Sequence, residues 1–165
     1  MKAAIKALMI AVAILVTSMT ASLAQDYQTG FEAYQKGDYA TALSIWLPLT
    51  EQGDAEAQNW LGVMYEFGDG VPQDDKEAVN WYRKAAEQGN AGAQNNLGSR
   101  YILGKGVIKN IVLAHMWYDI AASNGNKNAV KISEYIANGM YASQLEIAQE
   151  LARECIQKNY KGCHF

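Results

Sequence analysis

The chain has 165 residues, half of them hydrophobic, with 14 Lys and Arg against 17 Asp and Glu. A net charge of −3, with no clustered excess of Lys and Arg, gives no electrostatic footprint for nucleic acid. Only two prolines occur, Pro48 and Pro72, so long disordered linkers have little place in it.

The first segment, residues 1–24, reads as a secretory signal. Lys2 and Lys6 form a charged start, an apolar run follows from Ala7 to about Val16, and Ser22-Leu23-Ala24 sets small residues at −3 and −1. The run falls short of the roughly 20 apolar residues that a membrane-spanning helix needs. Cleavage is therefore expected between Ala24 and Gln25, with no stable membrane insertion afterwards. No cysteine lies there to take a lipid. The expected location is the bacterial periplasm or the outside of the cell. Without Lys2 and Lys6 the remaining 141 residues carry 12 basic and 17 acidic side chains, net −5. That length suits one domain with a sizeable core.

Residues 25–54 form a short opening unit in which Tyr34, Gly37-Asp38-Tyr39 and Ala42 predict two helices around a tight turn. After it the chain repeats itself. Residues 55–90 (AEAQNWLGVMYEFGDGVPQDDKEAVNWYRKAAEQGN) and 91–126 (AGAQNNLGSRYILGKGVIKNIVLAHMWYDIAASNGN) align without a gap and match at 17 of 36 positions. A repeat period of this size signals a solenoid. In each unit a first helix follows an N-cap, Asp54 or Asn90. Its buried stripe is Ala57, Leu61 and Tyr65, or Ala93, Leu97 and Tyr101. Gly62 and Gly98 lie inside these helices despite their cost, which points to close approach by a neighbour. The turns are Gly68-Asp69-Gly70-Val71 and Gly104-Lys105-Gly106-Val107. Second helices start at Asp74, with Glu77 as capping-box partner, and at Asn110. They bury Ala78, Trp81, Tyr82 and Ala85, then Ala114, Trp117, Tyr118 and Ala121, and end at Gly89 and Gly125. Residues 127–165 are expected to cap the array, with a helix from Asn128 to about Asn138 and another capped by Ser143 that runs to about Lys158. An atypical last unit suits a face that meets water.

The stretch AEAQNWLGVMYEFGDGVPQDDKEAVNWYRKAAEQG resembles the Sel-one-like repeat (SLR), a relative of the tetratricopeptide repeat with a longer glycine turn. The opening unit looks more like an ordinary tetratricopeptide unit, and residues 144–163 resemble the ends of small exported bacterial members. The resemblance implies an all-α, α/α superhelical solenoid of antiparallel helix hairpins. It also implies an adaptor or scaffold that binds a protein or peptide partner, with no cofactor. In the tetratricopeptide relatives the first helix of each unit lines the concave surface. That places Tyr27, Phe31 and Tyr34 on it, then Asn59, Val63, Glu66 and Phe67, then Asn95, Ser99, Ile102 and Leu103. Asn59, Val63 and Glu66 also fall at i, i+4 and i+7, away from the Ala57–Leu61–Tyr65 stripe. A solvated face, or packing within the opening unit, are the competing readings of these residues. A secreted regulator or effector that contacts a host or signalling protein is the alternative function. β-Lactam binding or hydrolysis, attributed to cysteine-rich relatives, is disfavoured because these repeats contain no cysteine.

No HExxH, GxSxG, Walker-type loop or Cys-x-x-Cys pair occurs, so no catalytic or metal residues are assigned. The histidines are His115, read as solvated or partly packed, and His164. Asp74-Asp75 reads as a helix start favoured by the macrodipole. Cys155 and Cys163 are expected to form a disulfide, because export allows the bond and Asn159 and Gly162 let the chain reverse. Unpaired thiols or pairing between chains are the alternatives.

Overall fold

A computed structural model describes residues 26–163, which form eight helices and no strand. Helix α1 covers residues 26–35. It is followed by α2 (Tyr39–Glu51), α3 (Ala55–Phe67), α4 (Asp75–Ala86), α5 (Ala91–Leu103) and α6 (Ile111–Ser123). The chain ends with α7 (Lys127–Ala137) and α8 (Ala142–Gln157). The result is the all-α solenoid that the repeat predicts. The Ala24–Gln25 junction and His164 lie outside the described residues.

Local chemistry sets most of the boundaries. The carboxylates of Asp54 and Asp74 and the amides of Asn90 and Asn110 each accept backbone N–H bonds in the first turn that follows. Asp38 and Asn126 do the same for α2 and α7. These bonds satisfy donors that a helix start leaves unpaired. Glu77 does not complete a capping box: its carboxylate accepts from Asn80 Nδ2 at 3.4 Å. Ser143 is not the cap of α8 either. Its cap, Tyr141, lies two residues earlier, and Gln144 Oε1 accepts from the backbone N–H of Tyr141 at 3.1 Å. The first helices of both long units stop at Gly68 and Gly104. These adopt φ of +76° and +68°, the left-handed conformation that favours glycine.

Within each unit the two helices approach through a glycine. A Cβ on Gly62 would lie 2.6 Å from Cε1 of Tyr82, and one on Gly98 would lie 2.9 Å from the Tyr118 ring. The opening unit uses the same device with Gly30 under Trp46, at 2.5 Å. Of the residues predicted to be buried, Leu61, Ala78, Tyr82, Ala85, Leu97, Tyr101, Ala114, Trp117, Tyr118 and Ala121 are buried. Tyr65 and Trp81 are only half-buried. They sit at the edge of their stripes, and Trp81 lies under the Lys84 ammonium, 3.7 Å from the ring centre.

The end of the array departs from the hairpin plan, because α8 packs on α6 and not chiefly on α7. Ala152 and Cys155 of α8, with Cys163, join the largest core cluster beside Trp117 and Ile120. Cys155 and Cys163 are bonded to each other, with Cα atoms 5.6 Å apart. The chain reverses between them through positive φ at Asn159, Tyr160 and Gly162. Tyr160 then donates its hydroxyl to Asn124 Oδ1 at 2.9 Å, which ties the tail to the end of α6.

Candidate partner-binding face

The first helices α1, α3, α5 and α7 carry the residues that the repeat register assigns to a binding surface. In the opening unit Tyr27, Phe31 and Tyr34 are half-buried in an aromatic cluster. Phe31 and Tyr34 each lie 5.1 Å from the Trp60 ring, and Trp60 stacks on Trp46 at 5.5 Å. Their polar ends are occupied as well. Trp60 Nε1 donates to the Tyr27 hydroxyl at 2.7 Å, and Tyr34 donates to the Asp69 carboxylate at 2.6 Å. Burial, and then the Asp69 carboxylate, push the Tyr34 phenol well above its ordinary pKa. Burial likewise raises that of Tyr27, against the Trp60 hydrogen bond. These rings are largely committed to joining α1 and α2 to α3.

In the second unit Asn59 is buried and accepts from Asn96 Nδ2 at 3.1 Å. Glu66 is tied into a charged cluster between units. Its carboxylate accepts from the Tyr82 hydroxyl at 2.6 Å and pairs with Arg100 Nη2 at 2.5 Å. Arg100, only 4% exposed, also reaches Asp75 Oδ1 at 3.2 Å. Burial first, and then Glu66, hold the Tyr82 phenol far above its usual range. Val63 is half-buried against the core, whereas Phe67 is exposed at 64%.

The third unit differs at the same register. Asn95, Ser99 and Ile102 are half-buried and Leu103 is exposed at 54%. Ile102, Ile111, Tyr118 and Ile136 occupy the positions, 36 residues on, of Glu66, Asp75, Tyr82 and Arg100. Apolar side chains thus replace the charged cluster, and with Ile132 and Tyr135 they line an open cavity of about 620 Å³. Burial raises the Tyr118 phenol, although its hydrogen bond with Ser99 lowers it. Ile132 stands where Asn96 does one unit earlier, and Asn95 Oδ1 is correspondingly buried with no hydrogen-bond partner.

Three polar features were not anticipated from the sequence. Gln58 and Gln94 are buried, and both make the same two bonds. Gln58 Nε2 donates to the Thr50 carbonyl at 3.4 Å, and Gln94 Nε2 donates to that of Ala86 at 3.1 Å. Their Oε1 atoms accept from Gln88 and Asn124, at 2.8 and 2.9 Å. Arg100, which lies on neither the buried stripe nor the candidate face read from the sequence, is buried. His115, read as solvated or partly packed, is 2% exposed. Its Nε2 lies 3.3 Å from Ser133 Oγ, and its Nδ1 lies 3.2 Å from Asp119 without hydrogen-bond alignment. Ser133 donates to Asp119 and not to an open site, so the trio docks α7 onto α6 and presents no exposed nucleophile. Among the described residues no group of three His, Cys, Asp or Glu is gathered that could hold a metal ion. None of the described helices is long and apolar enough to cross a membrane.

Helix–glycine turn–helix units, joined by buried glutamines that bond to both neighbours, define an α/α repeat protein. Residues 55–90 and 91–126, the two stretches that align with each other, each match the Sel1 repeat. Residues 55–126 are two Sel1 repeats, and the helical array around them shares the fold of solved SLR proteins. The chain is similar to a protective antigen of uropathogenic Escherichia coli that displays an SLR fold. The TM-score is 0.78 at 29% identity, over 86% of this chain and 31% of that one. A Sel1 repeat protein from Oxalobacter formigenes superposes with a TM-score of 0.65 at 36% identity, over 76% of this chain and 53% of that one. Among curated proteins, an exopolysaccharide production negative regulator of Rhizobium leguminosarum bv. viciae is 38% identical over 60 residues. That match covers 36% of this chain and 22% of the regulator. The chain thus spans about a fifth to a half of the length of these relatives.

Proposed function

We propose that the protein is an exported, non-catalytic interaction module, an adaptor or scaffold that holds a protein or peptide partner on the face formed by its first helices. The observation that carries this reading is the pair Phe67 and Leu103. They are the last residues of α3 and α5, lie one period apart, and are 64% and 54% exposed. Large apolar side chains left open at the same register in successive units fit a partner surface better than a solvated one. The signal pattern of residues 1–24 supports export, and Sel1 repeats in general serve as protein-interaction modules.

The test is partner capture from envelope extract, scored beside thermal melting. Phe67→Ala and Leu103→Ala should lose capture and melt like the wild type. Phe31→Ala and Tyr34→Ala should lower the melting temperature, because those rings are packed. Full capture by the Phe67→Ala, Leu103→Ala double variant would refute the reading. Mass analysis of the exported chain should find Gln25 at its start, and a purified sample should not turn over a chromogenic β-lactam.

A second reading, a regulator that contacts a host or signalling protein, draws support from the similarity to the Rhizobium regulator. Fractionation separates the two: a periplasmic chain favours the scaffold, and accumulation in culture medium favours the effector.

A further inference from the structure

The cavity beside α7 extends the proposed binding face, and the inference drawn from it rests on that reading. One period earlier the same space is filled by Glu66, Asp75, Tyr82 and Arg100, whose charges satisfy each other. At Ile102, Ile111 and Ile136 both ends of each ion pair have become isoleucine, and about 620 Å³ stands open between them. Tyr135, on the rim, is 81% exposed.

The charge of the segments that carry the lining isoleucines has also changed. No acid occurs between Glu87 and Asp119. Lys109, in the turn that joins Ile102 to Ile111, stands where the preceding unit has Gln73, whose amide reaches back to the Glu66 carbonyl. Lys131 lies one helical turn before Tyr135 on α7. Both lysines are exposed and make no ion pair among the described residues. Glu134, the acid closest to the rim in sequence, projects from nearly the opposite side of α7 to Ile132 and Ile136, by helical geometry. Asp119 is turned to Ser133.

The geometry points to a subsite for an acidic peptide segment of the partner, one that inserts an aliphatic or aromatic side chain among the isoleucines and sets carboxylates against Lys109 and Lys131. The apolar cavity supplies affinity by taking a side chain out of water. The lysines supply selectivity, since like-charged flanks are repelled.

The probes are fluorescein-labelled synthetic peptides with a central Leu, Ile or Phe between Asp and Glu residues. Matched peptides carry a central Ala, or Ser or Lys flanks, and binding is read by fluorescence anisotropy with the purified protein. Acid-flanked peptides should bind the wild type, and central Ala should weaken binding about tenfold or more. Ile102→Glu with Ile136→Arg rebuilds across the cavity the pair found one unit earlier. It should melt near the wild type and lose binding about tenfold or more. Should that pair fail to fold, Tyr135→Ala changes an exposed side chain only and should weaken binding several-fold with melting unchanged. Lys109→Glu with Lys131→Glu should weaken acid-flanked peptides and spare the Ser-flanked ones. Wild-type affinity in the Ile102→Glu, Ile136→Arg variant overturns the subsite, and so does binding of Lys-flanked peptides as tight as that of acid-flanked ones. The absence of binding by any peptide overturns it too. The wider reading fails separately, if Phe67→Ala with Leu103→Ala keeps full partner capture.

Discussion

Gly62→Ala sets helix propensity against packing, and the two give opposite signs. In an isolated helix the change would stabilise by about 1 kcal/mol. Here the new Cβ would stand 2.6 and 2.7 Å from Cε1 and Cδ1 of Tyr82 and 3.2 Å from the Ala78 carbonyl oxygen. The ring is not free to move away. Its hydroxyl is held by Glu66, and Glu66 is held by Arg100 of the next unit. Overpacking costs about 1–3 kcal/mol, and loosening a hydrogen bond to a charged group costs about 1.5–3 kcal/mol. After the propensity gain is subtracted, a net loss of about 1.5–5 kcal/mol is expected. Urea denaturation followed by far-ultraviolet circular dichroism measures it. In a Tyr82→Phe background the ring is released from Glu66, and the cost of Gly62→Ala should shrink by about 1–2 kcal/mol. A Gly62→Ala protein as stable as the wild type, or more so, would refute the argument.

Removing the Arg100 side chain as Arg100→Met strands a largely buried Glu66 carboxylate and should cost about 3–5 kcal/mol in denaturation. Glu66→Ile with Arg100→Ile, which copies two of the three isoleucines of the next interface, should cost clearly less than the single change. Because Cys155 and Cys163 are bonded to each other, the denatured, unreduced protein should take up no thiol reagent. The Cys155→Ser, Cys163→Ser double variant should then lose about 2–3 kcal/mol. Tyr34 and Tyr82 have phenol pKa values raised by burial and by a neighbouring carboxylate. Groups raised in the folded state stabilise it fully below their unfolded pKa of about 10 and lose that contribution as pH rises above it. The melting temperature should therefore hold steady up to about pH 10 and fall beyond it, and Tyr82→Phe should soften the fall. A steep loss of stability between neutral pH and about pH 9 would contradict this account.

The fold was legible because its signals are local. Each of Asp54, Asp74, Asn90 and Asn110 sits next to the helix it caps, and Gly68 and Gly104 sit at the ends they close. Tyr141 has no side chain that reads as a cap and Ser143 does, so the sequence points past the true start of α8. The bond that matters there comes from Gln144, inside the helix. Contacts between units were harder to see. Glu66 and Arg100 are 34 residues apart on different helices, and no single helical wheel holds both. A signal was present all the same, since Glu66 and Arg100 both become isoleucine one period later, at Ile102 and Ile136. Gln58 and Gln94 give a similar sign, a polar residue unchanged between the two repeats next to the buried stripe of its helix. His115 looked like a surface side chain because its partners, Asp119 and Ser133, have no counterparts in the preceding unit. On the candidate face, the exposure of Phe67 and Leu103 is legible. It is less so at Tyr27, Phe31 and Tyr34, where aromatic rings serve packing and recognition equally well.

The buried glutamines and the Glu66–Arg100 pair place opposite demands on how such an array can grow. Gln58 and Gln94 bond the helix behind and the helix ahead in the same way, so a duplicated 36-residue block would find its hydrogen-bond joints already made on both sides. The ion pair is less permissive. A second copy of residues 55–90 placed after Asn90 would set Met64 of the copy opposite the original Glu66, and a largely buried carboxylate would lose its cation. Lengthening the array is therefore easy in register and constrained in sequence. The block with the glutamate must be followed by one with the arginine, and this fixes the order in which the units stand.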